Sequence, residues 1–279
     1  MVPAFAQLDG VIDVHVHSAP DSVARSVDAI EAARLARRQG MRALVFKNHY
    51  THTASLAYLV SQVVPGIEVY GGIALNRAVG GVNPVAVRHM IDTTGGLGRV
   101  VWMPTFDSEH GHRTVSPNPN FVPVSRDGAL LPDVLAVLDL IAEHELVLAT
   151  GHSSPDESLL LIRAAKARGI ERIIVTHPTS PLVAMSTATQ REAARLGALL
   201  EYPLALALEG DEAFDRFVGQ IREVGPANVV LSTDLGQAGN PVHTDGFNVS
   251  IPRLLEAGLT QAEIDVMTKR NPARLLGLR

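Results

Sequence analysis

The chain of 279 residues is 46% apolar and 19% charged, below the charged share of about 25% usual for globular proteins and too apolar for disorder. A net charge of -5 leaves no basic footprint for nucleic acid, and 4% aromatic content leaves little surface for stacking bases. There are no cysteines and 11 histidines, so disulfides, thiolate metal sites and cysteine nucleophiles are excluded, and any metal or proton-transfer site must use imidazole and carboxylate.

Short β-branched runs alternate with longer helical patterns along the chain. Val11–His17 reads as a strand and Ser26–Gln39 as a helix stopped by Gly40. Ala43–His49 is the next strand, and Ser55–Val64 the next helix, halted by Pro65-Gly66. Glu68–Leu75 is a third strand, Pro84–Asp92 a helix with proline in its first turn, and Arg99–Thr105 a fourth strand. Phe106–Leu131 reads as a long irregular segment, a length that usually carries function. Then come a helix at Pro132–Glu145 and a strand at Leu146–His152, followed by a helix at Pro155–Arg168 and a strand at Arg172–His177. The pattern continues with a helix at Thr187–Arg195, a strand at Ala198–Pro203, a helix at Asp211–Val224 and a strand at Asn228–Asp234. Gly246–Gly258 and Gln261–Leu276 are helical. Residues 1–10 lack the positive region of a signal peptide, and no run approaches the roughly 18–20 apolar residues of a membrane span. The expectation is a soluble cytoplasmic protein with no membrane or nucleic-acid partner.

Eight strands in strict βα alternation imply parallel pairing through crossovers, and eight such units in roughly 250 residues predict an α/β fold of the (β/α)8 TIM-barrel type. A doubly wound sheet fits less well, because Val14-His15-Val16-His17 stands where a Gly-rich phosphate fingerprint would follow the first strand. No linker interrupts the pattern, so residues 1–279 are expected to form a single domain.

Such barrels place their chemistry at the C-terminal strand ends. His15 and His17 end strand one, Lys47 and His49 strand two, His152 strand five, His177 strand six and Asp234 strand eight, with Glu201 near the end of strand seven. Residues two apart on a strand share a face, so His15 projects with His17 and Lys47 with His49. Each piece alone is ordinary: a lone His-x-His is common, a single histidine is more often satisfied by packing, and Asp234 alone could cap a turn. Polar groups at one depth on five strands are not ordinary. They predict a site for one or two divalent metal ions, zinc foremost, with manganese, iron or cobalt also suited to a nitrogen and oxygen ligand set. The candidate ligands are His15, His17, Lys47, His152, His177 and Asp234.

Asp13-Val14-His15-Val16-His17 resembles the opening motif of the amidohydrolase superfamily, and the later motifs match in order: His152 in Thr-Gly-His, His177 in Thr-His-Pro and Asp234 in Ser-Thr-Asp. The resemblance runs from about Asp13 to Asp234. It implies a metal-dependent hydrolase that uses metal-activated water to cleave an amide, lactam, ester or related bond in a small molecule. Asp234 would then be the catalytic base as well as a ligand. With strand one beginning near residue 11, the chain is similar to the compact phosphotriesterase-like and TatD-like members that lack an accessory β-sandwich. One feature departs from many binuclear members: Arg99–Thr105 offers no lysine or glutamate to bridge two metals. Lys47, on strand two, is then either carboxylated and bridging, or an ammonium that binds an anionic substrate group beside a single metal.

Asp13 and Glu201 are either outer partners that orient imidazoles or buried caps. His49, His112 and His243 are candidate substrate contacts, with His52 and His110 similar. Arg113 would meet a substrate carboxylate or lie on the surface, and His89 and His144 read as structural. The main alternative activity is a mononuclear decarboxylase or deaminase on the same barrel. A Schiff-base Lys47 would leave the histidines unexplained, and a barrel that binds without turnover is the non-enzymatic reading. No motif names the substrate, and a homo-oligomer stays open because helix faces of a barrel hide interfaces well.

Overall fold

The computed structural model describes residues 8–115, 117 and 119–279. Residues 1–7, within the stretch read above for targeting signals, and Ser116 and Asn118, within the long segment, lie outside the described residues. Eight strands pair in parallel in chain order: β1 Ile12–Val16, β2 Ala43–Phe46, β3 Glu68–Ala74, β4 Gly98–Trp102, β5 Val147–Ala149, β6 Ile173–Val175, β7 Leu199–Pro203 and β8 Val229–Ser232. The ring closes just beyond the last ladder. The Asp234 N–H donates to the His15 carbonyl at 2.9 Å, and the His17 N–H to the Leu235 carbonyl at 2.8 Å. The chain therefore forms the expected (β/α)8 barrel.

Apolar residues run on along the strands because both faces are buried, with neighbours pointing to opposite sides. Ile12, Val45, Tyr70, Trp102, Val147, Ile174, Leu199 and Val230 fill the barrel interior, while their neighbours Leu44, Phe46, Val69, Val101, Leu148, Val175, Leu200 and Leu231 pack outward in the core that includes the surrounding helices. Those helices are α1 Ala29–Arg38, α2 Ala54–Val63, α3 Pro84–Ile91, α4 Glu109–Thr114, α5 Pro132–Glu143, α6 Pro155–Lys166, α7 Thr187–Arg195, α8 Leu204–Ala207, α9 Asp211–Val224, α10 His243–Glu256, α11 Gln261–Asp265 and α12 Asn271–Leu276. Leu275 and Leu276 of α12 join the interior cluster, and Arg42, just before β2, donates to the terminal Arg279 carbonyl. The C-terminal segment thus plugs the barrel floor, opposite the ends that carry the polar residues. No helix among the described residues is long and apolar enough to cross a membrane.

Several elements differ from the sequence reading. Helix α1 starts at Ala29 rather than Ser26, because the Asp28 carboxylate caps it by accepting the Glu31 N–H at 2.8 Å. The preceding loop is ordered, with Ala19 bridged to Asp28 and Arg25 to Gln237. Phe106–Leu131 is not irregular throughout: it holds α4 and a short hairpin, Ser125–Arg126 with Ala129–Leu130. The Gln261–Leu276 helix is split by a π-helical turn at Val266–Arg270, where Pro272 has no N–H to bond back to Thr268.

Most strand ladders also stop short of the residues expected to end them, so Lys47, His152, His177 and Asp234 sit on the first turns beyond β2, β5, β6 and β8. Local backbone devices aim them. The β1 register shifts between Asp13 and Val16, so Val14 packs inside with Ile12 while Val16 packs outside. That irregularity leaves His15 and His17 together at the mouth. His177 (φ +23°) and Asp234 (φ +51°) adopt positive φ without being glycine, a costly conformation found at functional sites. Gly151 (φ +63°) fits between strands where a Cβ would overlap the carbonyl oxygens of Met103 and Pro104, and it lets the His152 N–H bond the Pro104 carbonyl at 2.9 Å.

His243, expected among the substrate contacts, opens α10 instead as a fully buried residue. Neither ring nitrogen meets a hydrogen-bond partner of good geometry among the described residues. Burial pushes its pKa down from 6.5 to about 4, against a smaller upward pull from the Ala32 backbone.

Two predictions follow from this backbone. Gly151→Ala should cost about 2 kcal/mol or more in urea unfolding, from strain at positive φ and the overlap with two carbonyls; an unchanged midpoint would show that the turn is not constrained. For His243, the folded pKa lies below the unfolded one, so unfolding takes up a proton between pH 4 and 6.5. Its contribution to stability is complete above pH 6.5 and is lost as pH falls towards 4, a change on the order of 3 kcal/mol. His243→Phe should therefore flatten the fall in urea midpoint across that window, and profiles parallel to wild type would refute the assignment.

Candidate metal centre

At the mouth, His15, His17 and Asp234 converge. The Nε2 atoms of His15 and His17 lie 3.2 Å apart, and Asp234 Oδ1 lies 3.0 Å from each. His177 Nε2 lies 4.0 Å from the other Asp234 oxygen, and ligand atoms of His15, His177 and Asp234 all fall within 4.8 Å of one another. Donor atoms about a tetrahedral zinc, with bonds of about 2.0–2.1 Å, sit about 3.3 Å apart. The observed triangle has that size, so these residues fit a divalent cation.

Glu201 fixes the orientation. It reaches inward from β7 and accepts from His15 Nδ1 at 2.7 Å, from the Ser232 hydroxyl at 2.8 Å and from the His177 backbone N–H at 3.3 Å. Committing Nδ1–H of His15 to a carboxylate makes Nε2 the nitrogen that faces the centre and would bind a cation once its proton is displaced. Asp13 does otherwise. Its carboxylate accepts from the Thr233 N–H at 3.0 Å, the Thr233 hydroxyl at 2.5 Å and the His15 N–H at 3.1 Å. It caps the β1–β8 seam and makes no hydrogen bond to an imidazole, and burial raises its pKa to about 7 despite those bonds.

The electrostatics divide the imidazoles. Burial lowers His17 and His177 to about 4, although Asp234 pulls the other way. Burial, helped by neighbouring basic groups, holds His49 and His152 well below 6.5. All four are neutral near pH 7, as ligation requires. His17 Nδ1 and His177 Nδ1 are buried without a partner among the described residues. His15 is the exception: burial works downward, but Asp234 and then Glu201 raise it to about 9 against Lys47. Burial would likewise raise the two carboxyls, yet His15 brings Glu201 to about 2 and, with His17, holds Asp234 well below the usual carboxylate range. The cluster thus stores one positive charge between two carboxylates, where a metal cation can take its place.

The remaining residues surround a cavity of about 370 Å³ lined by His17, Lys47, His49, His152, His177 and Asp234 among others. Lys47 is buried, its Nζ lies 5.4 Å from the Trp102 ring centroid, and its ammonium makes no direct hydrogen bond or ion pair among the described residues. Burial lowers its pKa, with Asp234 and Glu201 opposing. His49 Nδ1 lies 2.9 Å from the Thr105 hydroxyl, and its ring stacks on Phe106 at 3.8 Å and on His17 at 5.0 Å. The His152 ring lies 4.8 Å from that of His177.

Not every expected residue reaches this cavity. His112 lies on α4 with Nε2 3.8 Å from Asp107, and neither it nor the buried His243 lines the cavity. Arg113 pairs with Glu109 at 2.5 Å on the surface, and His52 and His110 also lie off the lining. The sequence reading missed Arg25, whose side chain is only 4% exposed and lines the cavity. Its one sequence signal is Asp21 four residues earlier, a spacing that suggests a helical pair where the structure has a loop.

Comparison with solved structures returns barrels of the same fold. An organophosphorus hydrolase from Deinococcus radiodurans superposes with a TM-score of 0.62 at 19% identity, covering 98% of this chain and 94% of that one. A phosphotriesterase homology protein from Escherichia coli, complexed with phosphate in its active site, gives 0.63 at 16% identity, covering 96% and 98%. An amidohydrolase from Burkholderia multivorans with bound zinc gives 0.65 at 14% identity, covering 96% and 99%. No curated protein sequence matches the chain. The model of a family of unknown function, DUF6282, matches residues 10–201, which carry every candidate ligand except Asp234, and the chain belongs to that family.

Proposed function

We propose that the protein is a metal-dependent hydrolase of the amidohydrolase type, acting on an amide, lactam, ester or related bond of a small molecule. The observation that carries this reading is the 3.0–3.2 Å convergence of two imidazole Nε2 atoms and a carboxylate oxygen, with His15 held by Glu201. The shared fold with hydrolases, one of them solved with bound zinc, supports it.

His15, His17, His177 and Asp234 would hold the ion, zinc by preference, with His152 at the rim. A cation there supplies Lewis acidity and acidifies water. Asp234 remains a carboxylate near neutral pH, and its side chain is 23% exposed towards the cavity. It is therefore placed to accept the proton of an attacking water and return it to the leaving group. The Lys47 ammonium, without a direct partner among the described residues, is placed to meet a substrate oxygen. A single ion is favoured because β4 contributes Trp102 beneath Lys47 and no carboxylate. Carboxylation of Lys47 would instead support a second ion and would show as one added CO2 in the intact mass.

Zinc titration of metal-free protein should give about one equivalent, and Glu201→Gln should weaken binding by about 10–100-fold. Equal affinity in the variant would remove Glu201 from the centre, and absence of saturable zinc binding in wild type would refute the reading. Asp234→Asn should keep the thermal unfolding midpoint of metal-free protein within a few degrees. It should cut hydrolysis across a panel of esters, lactones and amides by about 10²–10⁴-fold; full activity would exclude Asp234 as the base.

A further inference from the structure

We propose that Arg25 binds a carboxylate on the substrate, and that the substrate is an organic anion with an apolar body. The proposal deepens the hydrolase reading and rests on it for the reaction, while the binding claim stands on the cavity itself.

Arg25 sits on the loop between β1 and α1, held against the β8 side by its backbone bridge to Gln237 and by the neighbouring Ser26 N–H, which donates to the Gly236 carbonyl at 2.9 Å. Its Nε and Nη2 both donate to one oxygen, Asp21 Oδ2, at 2.7 and 2.6 Å. The other Asp21 oxygen accepts the Ser22 N–H at 2.6 Å. A guanidinium carries five N–H donors, so this grip uses two and leaves three for a ligand. Asp21 is not part of the cavity wall, whereas Arg25 is.

The wall has an unbalanced charge. Apart from histidines and Tyr50, its ionisable groups are Arg25, Lys47 and Asp234, and Asp234 is already engaged by His15 and His17. Two basic groups thus face a concave, partly desolvated space without a carboxylate of their own on the cavity side. An oxyanion answers that excess, and a planar guanidinium matches a carboxylate in particular. Much of the remaining lining is apolar, including Val23, Phe106, Leu182 and Leu206. Phe106 is 54% exposed, and Val23 and Tyr50 are also among the exposed large apolar residues, yet all three line this cavity. Apolar surface displayed around a concave site with a few polar anchors marks a ligand site. Because Asp21 holds Arg25 in place, little side-chain entropy remains to be lost on binding.

Isothermal titration of zinc-loaded protein with phenylacetate and with its neutral counterpart 2-phenylethanol tests the proposal. Wild type should bind phenylacetate more tightly than the alcohol. Arg25→Gln should lose about tenfold or more of the phenylacetate affinity while its affinities for 2-phenylethanol and zinc stay unchanged. The double variant Asp21→Asn, Arg25→Gln removes the buried carboxylate that Arg25→Gln would leave unpaired, and it should show the same loss. Phenylacetate binding that survives both variants would overturn the proposal, since the carboxylate would then be held by the metal or by Lys47. So would an absence of preference for the anion in wild type. Arg25-dependent phenylacetate binding in a protein that fails to bind zinc would support this proposal and defeat the hydrolase reading, so the two fail separately.

Discussion

The hydrogen bond from His15 Nδ1 to Glu201 is the constraint on which the mouth of the barrel depends. A carboxylate buried in a barrel interior costs several kcal/mol unless it is paired and its lone pairs are filled. Glu201 meets that demand with three donors drawn from β1, from the end of β6 and from β8. The same three bonds locate the elements that bring His15, His177 and Asp234 together. Satisfying one buried charge therefore sets the tautomer of one imidazole and the position of the chain end that carries another. Moving Glu201 off β7 would leave both an unpaired anion and a rotatable His15.

The outline of this arrangement was legible in the residues, because a (β/α)8 barrel turns sequence order into spatial order. Alternating β-branched runs and amphipathic helices identify the units, and the polar residue after each run falls on the same rim. The means by which the rim is built were less legible. His15 and His17 face the site through a register shift between Asp13 and Val16 rather than through simple alternation along one strand. His177 and Asp234 enter through positive φ. Such conformations depend on tertiary bonds, here the Asp234 N–H to the His15 carbonyl and the Glu201 acceptor for the His177 N–H, and no local propensity encodes them.

The loop residues show where reading by position fails. His112 and His243 follow strands that end at the mouth, yet α4 carries His112 to the side with Asp107, and α10 buries His243. A loop on the catalytic face has many places to put a side chain, and the order of elements does not choose among them. Arg25 illustrates the reverse. By sequence it lies just before a helix, where nothing local assigns it a partner; the structure extends that loop to the Asp28 cap, and the bridge to Gln237 and the pair with Asp21 hold Arg25 against the cavity.

The site also lies on the seam of the barrel. β1 and β8 are the first and last strands, and they share few backbone bonds: the Asp234 and His17 N–H groups and the bridge of Val16 to Leu235. Asp13 reinforces this junction through Thr233. His17 and Asp234 are separated by 217 positions in sequence, so a ligand that binds both closes a very long loop. A cation held by His15, His17 and Asp234 binds the closed ring and not the opened one. By mass action, binding at a thousandfold excess over the dissociation constant adds about 4 kcal/mol to the closed form. Asp234 and Glu201 already draw β1, β7 and β8 together through His15, so a cation held there would reinforce contacts that the side chains make among themselves.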